Sequence, residues 1–315
     1  MTIGMLQGFV PNQGDAWIYT LDGMGRYFEK VLSRVKEVPE IPKAPRSLLD
    51  VDPSQVPPLL QELIEGHYLE MTVLLGKRTA EMHSALSSDL EEKDFAPEPF
   101  SILYQRSVFQ SMRTILNRVL WELRNNLSFL PETIQKEAAS ILQSDQKILN
   151  ALQKFTSKKF SAKRIRIHGD YHLGQVLYTG KDFIIFDFEG EPARSLTERR
   201  LKQSAFKDVA GMVRSFHYAA YTALFKEASL RPADTPLLEP WTNLWYRYVS
   251  GIFVRSYMDT VGKASFIPGD KAELEIMLKA YLLEKAVYEI GYELNHRPQW
   301  ILTPIKGIKD LLEGE

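Results

Sequence analysis

The chain has 315 residues, of which 44% are apolar, and its 39 basic residues nearly balance its 40 acidic residues. This composition is typical of a soluble globular protein, and a net charge of -1 gives no reason to expect a nucleic acid or an anionic membrane as partner. The sequence has no cysteine, which excludes disulfides and thiolate metal sites and is typical of cytoplasmic proteins. No apolar run approaches the ~18 residues that a membrane span needs, so we expect neither a membrane segment nor secretion.

The first predicted element is a short strand over residues 4–10 (GMLQGFV), which the turn residues PNQGD end. A helix is expected to follow from Asp15. Residues 37–58 then carry six prolines in 22 residues. Because proline fixes φ and lacks an N–H donor, this density predicts an extended, ordered connection rather than a helix or strand.

Apolar residues that recur every three or four positions predict amphipathic helices over most of the remaining chain. The helical segments are residues 59–86, 101–127, 131–155, 202–225, 239–261 and 271–296. Three short β-branched and aromatic runs, RIRIH, QVLYT and DFIIFDFE, interrupt this pattern, and TGKD between the last two is a tight-turn signal. The predicted fold class is therefore α+β, mostly helical, with a small β-hairpin of residues 175–178 and 183–186.

Costly polar residues lie at the ends of these short strands. The loop HGDYHLGQ places Asp170 five residues before the amide of Gln175, and Asp187 ends the next apolar run. Phosphoryl transfer from a nucleotide needs a carboxylate that orients or deprotonates the attacking hydroxyl, and oxygen ligands for the Mg²⁺ that bridges the phosphates. The spacing of these three residues therefore predicts a metal-dependent kinase.

Two other interpretations of the same residues remain open. A single aspartate at a strand end is commonly a structural cap of the following turn. Alternatively, His168, Asp170 and His172 are candidate ligands of a hydrolase metal centre. Gly169 and Gly174 argue against this second interpretation, because they favour a loop over the strand on which such ligands would share a face.

The loop HGDYHLGQVL, the block DFEGEPARSLTERRLKQSAFKDVAGMVRSFHYAA and the segment KAVYEIGYELNHRPQWILTPIKGI resemble the maltokinase family. These kinases are related to aminoglycoside phosphotransferases and are often fused to the C-terminus of trehalose synthase. The resemblance extends over essentially the whole chain, and GMLQGFVPNQGDAWIYTLD is similar to the family's joint between two lobes. It implies a protein-kinase-like C-lobe over residues 15–315, preceded by a hinge-like strand and turn over residues 1–14.

By this resemblance Asp170 is the catalytic base, Gln175 and Asp187 are the metal ligands, and the reaction is the phosphorylation of maltose to maltose 1-phosphate with ATP and Mg²⁺. The small-molecule relatives of protein kinases have the loop pattern HGDxHxxN, with asparagine where this chain has Gln175, and this substitution sharpens the resemblance to maltokinase. His168 matches the histidine of the kinase catalytic loop and is expected to brace the backbone. The hinge residues whose backbone would face the adenine base are Gln7, Gly8, Phe9 and Val10.

Candidate sugar-binding residues follow from the chemistry of saccharides, which are held by aromatic faces and by charged or amide groups. One set has helical spacing and forms a stripe that is typical either of a polar cleft or of a helical core: Tyr281, Lys285, Tyr288 and Tyr292. The second set lies near the catalytic loop: His172, Glu189, Glu191 and Arg194. Two roles remain open for Asp208, Arg214 and Ser215, which either support the catalytic loop from a buried position or form surface contacts.

No GxGxxG or GxxxxGK[ST] phosphate loop, and no strand-borne lysine, is found before QGFV. We therefore expect the chain to comprise the hinge and C-lobe of a kinase whose ATP-gripping N-lobe is absent from it and is supplied elsewhere. Two functions remain open. One is an ATP-dependent maltose kinase completed by an N-lobe, and the other is a non-catalytic saccharide-binding or complex-forming module associated with a trehalose synthase.

Overall fold

A computed structural model of the chain describes residues 8–34, 40–226 and 232–313. Within these ranges the fold is mostly helical, with two short antiparallel sheets of two strands each, which confirms the predicted α+β class. The helices are α1 (Ala16–Arg34), α2 (Pro58–Ile64), α3 (Gly66–Leu86), α4 (Ile102–Asn126), α5 (Glu132–Gln143), α6 (Asp145–Gln153), α7 (Leu196–Arg199), α8 (Phe206–Lys226), α9 (Thr235–Val261), α10 (Lys271–His296) and α11 (Leu302–Glu313). The strands are β1 (Glu98–Pro99), β2 (Lys163–Arg164), β3 (Val176–Tyr178) and β4 (Phe183–Ile185).

The long helices form the core. Helix α9 packs along α3 and α8, and α10 packs against α8, α4 and α11. Trp241, Trp245 and Phe253 of α9 are among the largest fully buried side chains. Because each buried aromatic side chain removes roughly 150–250 Å² from water, α9 contributes heavily to the stability of this core.

The hairpin of β3 and β4 confirms the predicted hairpin, with each strand one residue shorter than expected. Leu177 lies opposite Ile184 in an antiparallel register. Arg78 of α3 binds the turn between the strands, donating from Nε to Oδ1 of Asp182 at 2.8 Å and from Nη2 to Oδ2 at 2.9 Å. The hydrogen bonds from Arg78 lower the pKa of Asp182. This two-point ion pair fixes the hairpin against α3.

Two segments that were each predicted as one helix are two helices. Residues 59–86 break at Glu65, whose φ of 72° is incompatible with a continuous right-handed helix. Residues 131–155 break at Ser144, between α5 and α6. The apolar spacing is similar on both sides of each break, so periodicity alone does not reveal the breaks.

The strand predicted over residues 4–10 is not found in its described part. Residues 8–10 have no regular secondary structure, and residues 4–7 lie outside the described residues. The chain instead joins the hairpin slightly later, where the Gln13 N–H donates to the carbonyl oxygen of Tyr178 at 2.8 Å. This contact attaches the start of α1 to β3.

The proline-rich segment agrees with the prediction over its described part. Residues 40–57 are irregular apart from two 3₁₀ turns, Leu48–Asp50 and Pro53–Gln55. Among the helices that the structure describes, none is long and apolar enough to cross a lipid bilayer.

Candidate active site

One buried carboxylate, that of Asp208, holds the loop of residues 168–175. Asp208 lies in the first turn of α8 and is 1% exposed. Its Oδ2 accepts a hydrogen bond from the His168 N–H at 2.7 Å, and its Oδ1 accepts one from the Gly169 N–H at 2.9 Å. Burial acts to raise the pKa of Asp208, but the hydrogen bond from His83 and the other polar contacts outweigh it, so the pKa lies below its usual value. The ionised carboxylate therefore fixes the start of the loop.

His83 of α3 completes this support. Its Nε2 lies 3.1 Å from Oδ2 of Asp208, and its Nδ1 lies 2.9 Å from the hydroxyl of Tyr257. All three side chains are buried. His83 is not among the residues predicted from the sequence. In the sequence, His83 is visible only as a histidine within a predicted amphipathic helix. That pattern does not specify which distant residues its side chain contacts.

Helix α8 contacts the loop at two further points. The hydroxyl oxygen of Ser215 accepts a hydrogen bond from the Leu173 N–H at 3.1 Å. At Gly211 an added Cβ would lie 2.5 Å from the carbonyl oxygen of Tyr171, so a residue with a side chain would push the loop away from the helix. Of the two roles left open for Asp208 and Ser215, the structure therefore shows the buried support of the loop.

His168 connects the loop to the end of the hairpin. Its Nε2 lies 2.8 Å from the carbonyl oxygen of Phe186, and its Nδ1 lies 3.4 Å from the Asp170 N–H. Since Nδ1 faces a donor, Nε2 carries the proton and donates to Phe186. Both ring nitrogens thus contact backbone groups, which agrees with the bracing role expected for this histidine.

The predicted base lines a cleft, whereas the two predicted metal ligands do not. Asp170 is half-buried and lines a large cleft. Gln175 donates from Nε2 to Oδ2 of Asp187 at 3.0 Å, and Asp187 is exposed, with a φ of 62°. Neither of these two residues lines the cleft, although Gly174 does. The predicted metal ligands therefore meet each other beside the cleft.

The hydrolase interpretation of the loop does not agree with the structure. Across the described ranges, no three His, Cys, Asp or Glu side chains are grouped so that they could hold a metal ion. His168 is engaged as above, and His172 Nδ1 accepts a hydrogen bond from the Gly174 N–H at 3.1 Å. The loop conformation expected from the glycines is confirmed, since Gly169 has a φ of 87°.

Gln175 and Asp187 nevertheless have the donor chemistry that Mg²⁺ requires. Magnesium prefers carboxylate and amide oxygens and takes few protein ligands, because phosphate oxygens and water complete its shell. The carboxylate of Asp187 and the amide oxygen of Gln175 match this preference, and the contact between the two side chains is made through the amide nitrogen. The oxygen donors of these two neighbouring residues therefore fit Mg²⁺ in their chemistry.

His172 lies between the loop and the cleft. It lines the cleft and precedes the short 3₁₀ turn Leu173–Gln175. Burial lowers its pKa, and the nearby charge of Asp170 opposes this effect. A neutral imidazole at the edge of the cleft can accept or donate a hydrogen bond to a ligand.

The cleft beside Asp170 has a volume of about 1170 Å³. Three residues of the α10 stripe line it: Lys285, Tyr288 and Tyr292. Tyr281 is 3% exposed and packs edge-on against Phe155 at 5.6 Å between ring centroids. The C-terminal part of the stripe, from Lys285 to Tyr292, therefore faces the cleft. Tyr281, at its N-terminal end, packs mainly in the core.

A smaller cavity of about 50 Å³ also contacts Asp170 and shares Glu191, Lys285 and Tyr288 with the cleft. The Tyr288 hydroxyl donates to Oε1 of Glu191 at 3.3 Å, and Lys285 Nζ lies 3.9 Å from Oε2 of the same residue. Burial, together with Glu191, raises the pKa of Tyr288 to about 12, so its hydroxyl stays protonated at neutral pH. This cluster offers paired donors and acceptors to a polyhydroxylated ligand.

The two candidates that follow the hairpin differ in position. Arg194 lines the cleft and lies 3.7 Å from Glu198. Glu189 is exposed and lies outside the lining of both the cleft and the smaller cavity. The structure therefore brings Arg194, but not Glu189, to the site.

The proposed adenine contacts are only partly described. Gln7 lies outside the described residues. Gly8, Phe9 and Val10 do not line the cleft, and the Phe9 side chain is 87% exposed. Their assignment to nucleotide binding stays a prediction.

Two acidic side chains of α10 in the cleft were not predicted. Glu289 accepts hydrogen bonds from Arg214 Nη2 at 2.7 Å and Arg214 Nε at 3.0 Å. Burial raises the pKa of Glu289, and the charge of Arg214 opposes it. Glu293 accepts a hydrogen bond from the Tyr218 hydroxyl at 3.1 Å. Arg214 thus supports the cleft wall rather than the catalytic loop.

No protein-family model matches the chain. A glucosamine kinase of Streptacidiphilus jiangxiensis is 26% identical over 148 residues, which cover 47% of this chain and 32% of that protein. A glucosamine kinase of Mycolicibacterium smegmatis is 33% identical over 149 residues, which cover 46% of this chain and 34% of that protein. The match thus spans about a third of the length of these curated relatives.

Solved structures of a glucosamine kinase share the fold over almost the whole chain. Crystal form B superposes with a TM-score of 0.70 at 20% identity, over 98% of this chain and 62% of that one. A structure in complex with glucosamine, ADP and inorganic phosphate superposes with a TM-score of 0.65 at 20% identity, over 97% of this chain and 62% of that one. This chain therefore has a fold found in about three fifths of that kinase. The relatives are named for glucosamine, whereas the sequence motifs predicted maltose.

Proposed function

We propose that this chain contains the acceptor-binding and metal-binding part of an ATP-dependent sugar kinase. The observation that carries this proposal is the support of the catalytic loop by Asp208, which places Asp170 at a cleft while Gln175 of the same loop meets Asp187. A phosphoryl-transfer site needs this combination of a carboxylate facing the acceptor and oxygen ligands facing the phosphates. The named relatives support a sugar as the acceptor.

In this mechanism Asp170 orients the attacking hydroxyl and accepts its proton while the hydroxyl oxygen bonds to the γ-phosphorus of ATP. The bond from that phosphorus to the β–γ bridging oxygen breaks in the same step, and ADP leaves. The loop backbone is fixed at both ends by α8, so the carboxylate is held ready before the sugar binds. Tyr288 and Glu191 would hold further hydroxyls of the sugar next to Asp170. Gln175 and Asp187 would hold Mg²⁺, which when bound neutralises negative charge on the nucleotide phosphates.

Maltose is the first candidate acceptor, with its anomeric hydroxyl as the attacking group and maltose 1-phosphate as the product. The sequence motifs imply it, and the volume of the cleft, about 1170 Å³, leaves room for two hexose rings. Tyr292 and Trp300 also line the cleft and offer aromatic faces beyond the Asp170 end. A trehalose synthase partner, which the same resemblance implies, stays a prediction that neither named relative supports.

An amino sugar is the second candidate acceptor. Both named relatives are glucosamine kinases, and seven carboxylates line the cleft. They are Asp15, Glu122, Asp170, Glu191, Glu198, Glu289 and Glu293. An ammonium group forms charge-assisted hydrogen bonds with carboxylates, so such a lining favours a cationic sugar over a neutral one.

The test is a phosphoryl-transfer assay of the chain completed with a kinase N-lobe, with radiolabelled ATP, Mg²⁺ and three acceptors: maltose, glucosamine and glucose. We expect transfer to one of the first two, and its loss in Asp170→Asn. Calorimetry of the same sugars against the chain runs in parallel. Sugar binding without transfer would favour the non-catalytic saccharide-binding module, whereas neither binding nor transfer would contradict the proposal.

A further inference from the structure

A second large cavity lies away from the candidate active site. Its volume is about 370 Å³, within the ~300–1,000 Å³ range of small-molecule pockets. It is enclosed by residues 46–49 of the proline-rich segment, by α9, by the N-terminal half of α10 and by the end of α11. It shares no lining residue with the cleft or with the smaller cavity at Asp170. The two sites can therefore be altered separately.

Basic residues outnumber acidic ones in this lining. The charged lining residues are Arg46, Lys154, Arg247, Lys279, Glu275 and Asp310. Arg247 donates to two uncharged acceptors, the carbonyl oxygen of Pro45 at 3.2 Å and Oδ1 of Asn243 at 3.3 Å. Arg46 is exposed on the same side. The positive charge of the two arginines is thus available to an anionic group.

The inner wall carries an acceptor without a donor. Oδ2 of Asp310 is buried and has no hydrogen-bond partner among the residues that the structure describes. Burial raises the pKa of Asp310, and the charge of Arg247 opposes this effect. Asp310 also lines the cavity, so its carboxyl group is the acceptor that this wall offers to a ligand hydroxyl.

The wall behind the cavity is aromatic and polar. Tyr246 lines the cavity, and its ring packs edge-on against His217 with 4.8 Å between centroids. Both ring nitrogens of His217 are buried and also lack a partner among the described residues. Leucines complete the lining: Leu48, Leu49, Leu278, Leu282 and Leu311. The cavity therefore offers a ligand apolar carbon surfaces and a few directed polar groups. A sugar ring has C–H faces and hydroxyl groups that match these two kinds of contact.

From this arrangement we propose that the cavity binds a sugar phosphate, with the phosphate at Arg46 and Arg247 and a ring hydroxyl donating to Asp310. A bare phosphate would leave most of the volume, with its leucine and tyrosine surfaces, unfilled. A neutral sugar would leave the two arginines without an anion. A phosphorylated sugar meets both requirements.

The proposed sugar-phosphate site does not rest on the proposed kinase activity. If the chain is part of a sugar kinase, however, this site would bind that kinase's class of product. A sugar phosphate is the product class of a sugar kinase, so this cavity would sense product at a distance from the cleft. Helix α8 lies between the two sites, with His217 near Tyr246 and Asp208 and Ser215 at the catalytic loop.

The test is isothermal titration calorimetry of the chain with glucose 6-phosphate, with inorganic phosphate and glucose as separate probes. We expect glucose 6-phosphate to bind at least tenfold more tightly than either probe. Arg247→Gln and Arg46→Gln should each weaken its binding at least tenfold. The matched control is Arg255→Gln, on the same helix as Arg247 but in an exposed pair with Asp259 at 2.9 Å, and it should bind normally. Thermal melts of each variant verify folding.

Three outcomes would overturn the proposal. The first is an absence of glucose 6-phosphate binding to a folded chain. The second is equal affinity for inorganic phosphate, which would remove the sugar from the assignment. The third is binding that survives Arg247→Gln and Arg46→Gln but is lost in Lys285→Met, which would place the ligand in the cleft. The third result would leave the proposed kinase function intact, so the two proposals fail separately.

Discussion

The side-chain amide nitrogen of Gln175 lies 3.0 Å from Oδ2 of Asp187, although the two residues are 12 positions apart. The register of the hairpin produces this contact, because Val176 pairs with Ile185, Gln175 lies one residue before β3 and Asp187 lies two residues after β4. Two side chains that the sequence assigned to one metal ion are thus neighbours.

Replacing Asp187 by Asn tests the metal role of this pair. The loss of the carboxylate removes the charged ligand, and changes in a metal's immediate surroundings commonly cost ~10–100-fold in affinity. We therefore expect the Mg²⁺ concentration for half-maximal transfer to rise at least tenfold. The measurement is a Mg²⁺ titration of the transfer rate at saturating ATP. An unchanged Mg²⁺ requirement would assign Asp187 to the turn alone.

In the chain completed with a kinase N-lobe, Asp170→Asn should lower kcat by ~100-fold or more, the usual range for loss of a general base. Sugar affinity should stay within a factor of two, because the side chain keeps its size and its place on the loop. Steady-state kinetics and calorimetry on the same preparation check both expectations. Full turnover would mean that Asp170 is a structural turn residue.

Tyr288→Ala should raise the KM for the sugar more than it lowers kcat, because a stacking contact is made in the ground state and in the transition state alike. Tyr288→Phe separates the ring from the hydroxyl that donates to Glu191 at 3.3 Å. We expect Phe to restore most, but not all, of the affinity. A larger loss in kcat than in KM for either variant would contradict a role in sugar binding.

Asp208→Ala should destabilise the fold and not merely the site. The change leaves the backbone N–H groups of His168 and Gly169, and the ring of His83, without their acceptor in a buried position. Breaking such a buried, charged network costs about 3–5 kcal/mol. Urea unfolding monitored by circular dichroism gives the change in unfolding free energy.

Asp89→Ala is the matched control for this variant. Asp89 also accepts two backbone hydrogen bonds, from the N–H groups of Glu91 and Glu92 at 2.9 Å each, but on the exposed surface. Water replaces the lost acceptor there, so the effect should be small. Equal destabilisation by both changes would show that burial of Asp208 does not matter.

The stability of the protein should fall as the pH drops below ~6.5, the ordinary pKa of histidine. Burial lowers the pKa of His217 well below that value, so this ring stays neutral in the folded chain while the unfolded chain takes up a proton. The unfolded state is then favoured, by up to ~1.4 kcal/mol per pH unit for one proton. His172 contributes in the same direction, since burial lowers its pKa too.

His217→Leu should therefore flatten the dependence of the unfolding free energy on pH between pH 7.5 and about pH 5.5. The measurement is urea unfolding at intervals across this range. His67→Leu, at an exposed histidine of α3, is the control and should keep the slope of the unmodified chain. An unchanged slope in His217→Leu would assign the pH dependence to His172 and other groups.

Much of the site's local structure could be read from short stretches of sequence. The hairpin follows from β-branched runs on either side of TGKD, and Gly169 marked the loop that presents Asp170. Helix α10 has the bounds expected from its periodicity. These features depend on residues within a few positions of each other, and local patterns describe such interactions well.

The contacts between distant residues were decided only by the tertiary structure. His83 meets Asp208 across 125 positions, and Arg214 meets Glu289 across 75. Whether a residue of the α10 stripe faces the cleft or the core likewise depends on which helix packs beside it, so Tyr281 and Tyr288 differ although both fit one stripe. A sequence pattern gives the side of a helix that is apolar. The packing of the helices then determines which partner covers that side, and therefore which polar groups are buried together.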